Sequence, residues 1–199
     1  MELVRADESA SGAAHERGDA ARNRKLLLDA ARALIAERDP GEITTDDIAA
    51  AAGVGKGTLF RRFGSRAGLM IELLDEDERA MQQAFLFGPP PMGPQAPPLQ
   101  RLLAFGRERL RFVEVHRAIL EEVNRDRGAR YNAVFAVLHT HVRMLLGAAE
   151  STGDLDAQAD ALLALLDADY VAYQADSRGQ TMEGMTRAWD SLARKLCGC

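Results

Sequence analysis

Lys56, Thr58, Arg61 and Arg62 crowd into one short stretch headed by Gly55 and Gly57. Ammonium, guanidinium and hydroxyl groups at that density are donors suited to phosphate oxygens and to base edges in a DNA groove. The two glycines let backbone amides at a helix start come close to a polyanion. Phe60 lies among the donors and offers an apolar contact to a thymine methyl or a sugar. The alternative is an ordinary solvated helix face, which charge alone does not exclude.

Other chemistries are poorly served. Gly53-Val54-Gly55-Lys56-Gly57-Thr58 has the look of a phosphate-binding loop, but a Walker motif needs glycine at position 50, a hydroxyl residue at position 57 and a strand before it; a dinucleotide fingerprint needs glycine at position 58. His139 and His141 are two apart and diverge on a helix, so they do not form a zinc site with a shared carboxylate face, and His15 falls in the N-terminal arm. Cys197 and Cys199 supply half a metal or redox site at most; solvated surface thiols are the default. No Ser-His-Asp or Cys-His arrangement is legible, so no enzyme, metal or cofactor is expected.

The elements that must position the donors are all helices. Six of the seven prolines fall between Gly88 and Pro98, which marks a loop, and apolar spacings of three and four run on both sides of it. The first helix is expected from about Arg22 to Arg38, its apolar face built on Leu27, Ala31 and Leu34. Thr44-Thr45-Asp46-Asp47 reads as a capping box with aspartate in the usual glutamate place, and opens a short helix that ends at Gly53. A second short helix runs from Lys56 to Phe63, and a fourth helix from Ser65 to about Phe87. Two short helices across a tight glycine turn, with Ala49 to Ala52 allowing close crossing, make a helix-turn-helix whose second helix enters the major groove. Past the prolines the apolar faces predict four longer helices, the first two including Leu102 to Val123 and Tyr131 to Ala149, and the others spanning Leu155 to Ser177 and Met182 to Leu196. The expected fold is all-α, with these eight helices placed and about nine expected in all. It divides into a disordered arm (1–19), a DNA-binding domain (20–66) and a C-terminal antiparallel bundle (67–199).

Composition bounds this without naming it. A chain of 199 residues at 47% hydrophobic can bury a real core, and no apolar run suggests a membrane span or a signal peptide, so a cytoplasmic protein is expected. The net charge of −5 argues against a nucleic-acid partner when taken over the whole chain. Between Ala20 and Arg66, however, nine basic residues face six acidic ones, a balance of +3, which leaves −8 for the rest. The acidity belongs to the arm and the bundle, and the reading head is basic.

The run ITTDDIAAAAGVGKGTLFRRFGSRAGLMIELL, preceded by RKLLLDAARALIAERDPGE, resembles the DNA-binding domain of TetR (TetR/AcrR) family transcriptional regulators. The likeness covers about Arg22 to Leu74; beyond it the resemblance is one of architecture. It implies that Thr44 or Thr45 contacts phosphate and that Gly55, Lys56, Gly57, Thr58, Phe60, Arg61 and Arg62 lie against DNA. Three positions depart from the family pattern: Phe60 stands where tyrosine is common and loses a phosphate hydrogen bond, Ile35 replaces an aromatic, and Asp39 replaces a glycine. Asp46, whose charge opposes phosphate, is left out of the expected contacts.

The resemblance further implies a homodimer on a palindromic double-stranded operator, formed through the last two helices with Leu162, Leu166, Tyr170, Trp189 and Leu192 on their apolar faces. Closing the monomer core is the other use of those residues. It also implies repression relieved by a small-molecule effector of unknown identity. Arg109 and His116 interrupt an apolar stripe among Phe105 and Phe112, as a few polar groups in a ligand pocket do, and Phe135 and Tyr170 are further candidates. An arginine paired to an aspartate of a neighbouring helix explains the same pattern. A helical carrier or enzyme that uses the bundle without a DNA role is the alternative function.

Overall fold

The computed structural model describes residues 4–38, 40–123 and 133–198. Asp39, Tyr131 and Cys199, and the side chains of His15 and Val123, lie outside the described residues. Among the described residues there are nine α-helices and no strand, as the apolar spacing leads one to expect. They form two compact units, Met1–Glu76 and Asp77–Cys199, and the division falls inside the fourth helix, past the Arg66 boundary expected from sequence.

The first unit holds α1 (Val4–Glu37), a 3-10 turn (Pro40–Glu42), α2 (Thr45–Ala52), α3 (Lys56–Phe63) and the start of α4 (Arg66–Phe87). Helix α1 begins at Val4, where the sequence reading places a disordered arm and a helix start near Arg22. That reading follows apolar periodicity, which the arm lacks, but alanine, glutamate and arginine favour helix intrinsically and continue α1 upstream. Leu27, Leu28 and Ala31 of α1 meet a small core with Ile43, Ile48, Leu59, Leu69 and Leu73, all essentially inaccessible. At the start of α4, Arg66 Nε donates to the Ile43 carbonyl at 2.7 Å, and the same guanidinium reaches the Pro40 carbonyl. This ties α4 to the turn that launches α2.

The second unit contains the rest of α4 with α5 (Pro98–Val123), α6 (Ala133–Ala148), α7 (Leu155–Ala164), α8 (Ala168–Asp176) and α9 (Met182–Leu196). Helix α5 starts on Pro98, a position where the missing amide costs nothing. Arg101 donates to the carbonyls of Phe85 and Met92, both at 3.3 Å, and so pins the proline segment. The helix expected over Leu155–Ser177 is broken. Asp167 accepts from the amides of Asp169 and Tyr170 and starts a new helix, which a reading by apolar spacing passes over. Helices α5 and α9 meet where the Trp189 ring lies on Gly106: a Cβ there would come within 1.9 Å of the indole. The Trp189 N–H donates to the Leu102 carbonyl at 3.3 Å.

Candidate nucleic-acid interface

Local chemistry builds the helix-turn-helix. The Thr44 hydroxyl accepts from the Asp47 amide at 3.1 Å, and the Asp47 carboxylate accepts from the Thr44 amide at 2.9 Å, which closes the capping box. Those bonds to Thr44, with Arg38 adding its charge, hold the Asp47 carboxyl below the usual aspartate range. Gly53 ends α2 in the left-handed conformation, φ +66°, which a residue with a side chain rarely adopts. The turn delivers α3 with Leu59 buried, while Phe60, Arg61 and Arg62 are exposed.

The other expected contacts share the accessible side of this unit. Thr44, Gly55, Lys56 and Gly57 are exposed and Thr45 and Thr58 are half-buried. Gly55 caps α3 with no side-chain hydrogen bond, and of the first-turn amides that of Thr58 donates to the Gly55 carbonyl at 2.8 Å. A Cβ at Gly55 or Gly57 would meet nothing within 4 Å, so packing within this chain does not demand a small residue at either position.

Ion pairing sorts the basic residues. Arg24 is held by Glu72 and Glu76, Arg32 by Asp29 and Glu76, Arg38 by Asp47. Lys56 Nζ lies 2.7 Å from the carboxylate of Asp46, a residue left out of the contacts expected from sequence. Arg61 touches only the Thr58 hydroxyl, at 3.5 Å, and Arg62 has no partner among the described residues. Two exposed arginines without a carboxylate partner among the described residues therefore stand side by side on α3, and the exposed Arg22 of α1 is a third.

The candidates in the second unit divide differently. Arg109 is paired with Glu78 of α4 and lies 4.4 Å over the Phe112 ring; His116 Nε2 is 3.1 Å from Asp77. An aspartate partner for Arg109 is the alternative that the sequence offers, and the partner is a glutamate. Phe105 is fully buried, Phe135 half-buried and Tyr170 exposed. Of the residues expected at a dimer surface, Leu162, Leu166 and Trp189 are covered by their own unit, Leu192 is half-buried, and Tyr170 is exposed with its neighbour Tyr173. Lone apolar spacing cannot tell a core residue from an interface residue.

Two histidines answer differently from their spacing. His139 of α6 faces Asp160 of α7 at 3.3 Å and Asp156 at 4.0 Å, although Arg143 also takes Asp156. No group of three or more His, Cys, Asp or Glu suited to a metal occurs among the described residues. His141 is buried between Phe85, 4.2 Å away, and Phe105, 5.4 Å away, and neither ring nitrogen has a hydrogen-bond partner among the described residues. Burial, with the charge of Arg101 adding, pushes its pKa down to about 4, so the imidazole is neutral near pH 7. Sequence reasoning missed its role because the two stacking rings come from α4 and α5.

Residues 27–73 match the profile of the family described as bacterial regulatory proteins, tetR family. An uncharacterized HTH-type transcriptional regulator of Mycobacterium tuberculosis is 32% identical over 93 residues, 47% of this chain and 45% of that protein. The HTH-type transcriptional regulator AlkX of the same organism is 48% identical over 46 residues, 23% of this chain and 22% of the relative. The chain thus spans less than half the length of these curated relatives. A transcriptional regulator from Rhodococcus shares the fold, with a TM-score of 0.66 at 15% identity over 88% of this chain and 96% of that one. No described helix is long and apolar enough to cross a membrane.

Proposed function

We propose that this chain, which belongs to the TetR family of bacterial regulatory proteins, binds a palindromic operator as a homodimer and represses transcription until a small-molecule effector releases it. The observation that carries the DNA-binding part is the two-sided character of α3: Leu59 is buried on one side, while Phe60, Arg61 and Arg62 stand exposed on the other with the cations uncommitted. The residues proposed to touch DNA are Thr44, Thr45, Gly55, Lys56, Gly57, Thr58, Phe60, Arg61 and Arg62. Glycine at 55 and 57, unneeded by the chain's own packing, is explained by an external surface approaching the backbone.

One recognition helix covers too little DNA for specificity, and a two-fold site calls for a two-fold protein. The exposed aromatics Tyr170 and Tyr173 of α8 fit a surface for the second copy. An effector must bind the DNA-free arrangement more tightly than the DNA-bound one. Arg109 and His116 are engaged by carboxylates, and the buried imidazole of His141, whose nitrogens have no hydrogen-bond partner among the described residues, offers a ligand a polar group inside the second unit. The repressing sense and the effector release rest on the family resemblance.

Selection of bound fragments from random DNA with the purified chain tests the reading. The expected result is an enriched palindrome, bound with an affinity whose logarithm falls linearly with the logarithm of salt concentration. Failure to enrich any sequence sinks it in favour of a helical carrier.

A further inference from the structure

We propose that Asp46 and Lys56 jointly read one G·C base pair in each operator half-site, an inference that rests on the DNA-binding reading above. Asp46 lies in the first turn of α2 and Lys56 opens α3. The turn between the two helices brings Lys56 Nζ to 2.7 Å from Asp46 Oδ1 and 2.9 Å from Oδ2. The Asp46 side chain is 69% exposed and the Lys56 side chain 51%, and neither has another side-chain partner among the described residues. The pair is therefore a donor and an acceptor held side by side at the opening of the recognition helix, facing outward.

A lone phosphate does not fit this arrangement. The ammonium would attract it and the carboxylate beside the ammonium would repel it. As a solvated surface pair it contributes little to folding. A base-pair edge with acceptors next to a donor uses both charges. In the major groove guanine presents O6 and N7, and its partner cytosine presents the N4 amino group. Lys56 has three N–H donors, enough to serve guanine while keeping a bond to Asp46, and the second carboxylate oxygen accepts from cytosine N4. A thymine at the cytosine position would place O4, an acceptor, against the carboxylate. That repulsion rejects the wrong pair, so the acid adds discrimination against thymine to the lysine's preference for guanine, and the position needs both side chains.

The test is selection from random DNA with the full chain and with D46A and K56M in parallel. Wild type is expected to enrich a palindrome with a fixed G·C pair at one position per half-site. Each variant is expected to erase preference at that same position, from about tenfold or more to less than about twofold, while the other positions stay defined. Loss at one shared position by two different side chains is the signature of joint reading, and a defined remainder of the motif shows that each variant still folds. If D46A keeps every position and binds all sequences more tightly by a common factor, Asp46 only neutralises Lys56 and the proposal is overturned. Loss of different positions in the two variants, or a shared position that is A·T in wild type, overturns it as well. If wild type enriches nothing, the DNA-binding reading itself has failed, an outcome distinct from the others.

Discussion

On the recognition helix Arg61 and Arg62 stand at the surface without a carboxylate among the described residues, whereas in the bundle Arg109 is covered, paired with Glu78 and laid over the Phe112 ring. The same residue type serves opposite ends. An exposed arginine keeps its hydration and its long reach, and its charge is free for a partner outside the chain. A covered one has lost its water and depends on the partner the fold supplies. On α3 charge is therefore available for function, and at Arg109 it is bound up with the integrity of the core.

The sharpest way to break that contrast is to remove one side of each kind of pair. Glu78→Ala leaves Arg109 covered and uncompensated, and should cost about 3 to 5 kcal/mol in urea unfolding. Asp46→Ala removes a pair of similar geometry at the surface and should cost less than about 1 kcal/mol. Equal costs in the two experiments would mean that burial does not distinguish the pairs.

His141 carries the contrast into pH dependence. Its pKa in the folded chain is about 4, below the ordinary 6.5, so the unfolded chain takes up the proton first as pH falls. Stability should be undiminished above pH 6.5, decline between 6.5 and 4, and level off below, with a total loss of about 3 kcal/mol. His141→Leu should flatten that part of the profile, as measured by thermal unfolding across the range. Glu76 of the first unit, held below the usual glutamate range by Arg32 and Arg24, loses its contribution as pH falls through its depressed pKa. An unchanged slope in the variant would place the acid sensitivity elsewhere.

The opposite pattern is expected on α3. The double substitution Arg61→Ala and Arg62→Ala should leave stability within about 0.5 kcal/mol, because neither side chain packs against the core. Operator affinity should fall, and the slope of log affinity against log salt should shrink by about 1 for each phosphate that the variant no longer neutralises. A weaker affinity with an unchanged salt slope would mean that the two arginines touch bases rather than phosphates.

These differences also explain how much could be read from sequence. The capping box, the glycine turn and the buried Leu59 lie within about twenty residues of one another, and local chemistry determines them, so the helix-turn-helix geometry is legible in the sequence. Glu78 with Arg109, Asp77 with His116, and Phe85 with His141 are joined across helices, and no local spacing announces them. The break at Asp167 went unseen for a different reason: apolar spacing stays compatible with one helix across it, and only the cap shows that a new helix begins. Trp189 reads as an interface residue from its position on an amphipathic helix, and becomes core only once Gly106 is seen beneath it.

The smallest expected effect separates two neighbouring threonines. The Thr44 hydroxyl accepts from the Asp47 amide and donates to its carboxylate at 2.8 Å, so both of its roles are taken within the chain. Thr45 has no side-chain hydrogen bond among the described residues and is half-buried at the helix start. Thr44→Ala should therefore cost about 1 kcal/mol of stability, with Thr44→Ser recovering most of it. Thr45→Ala should leave unfolding almost unchanged and instead weaken operator binding several-fold, on the order of one missing hydrogen bond to phosphate. Thermal unfolding and operator titration of both variants would assign the roles. If Thr44→Ala lowers affinity at unchanged stability, the capping bonds give way on DNA and the phosphate is held by Thr44.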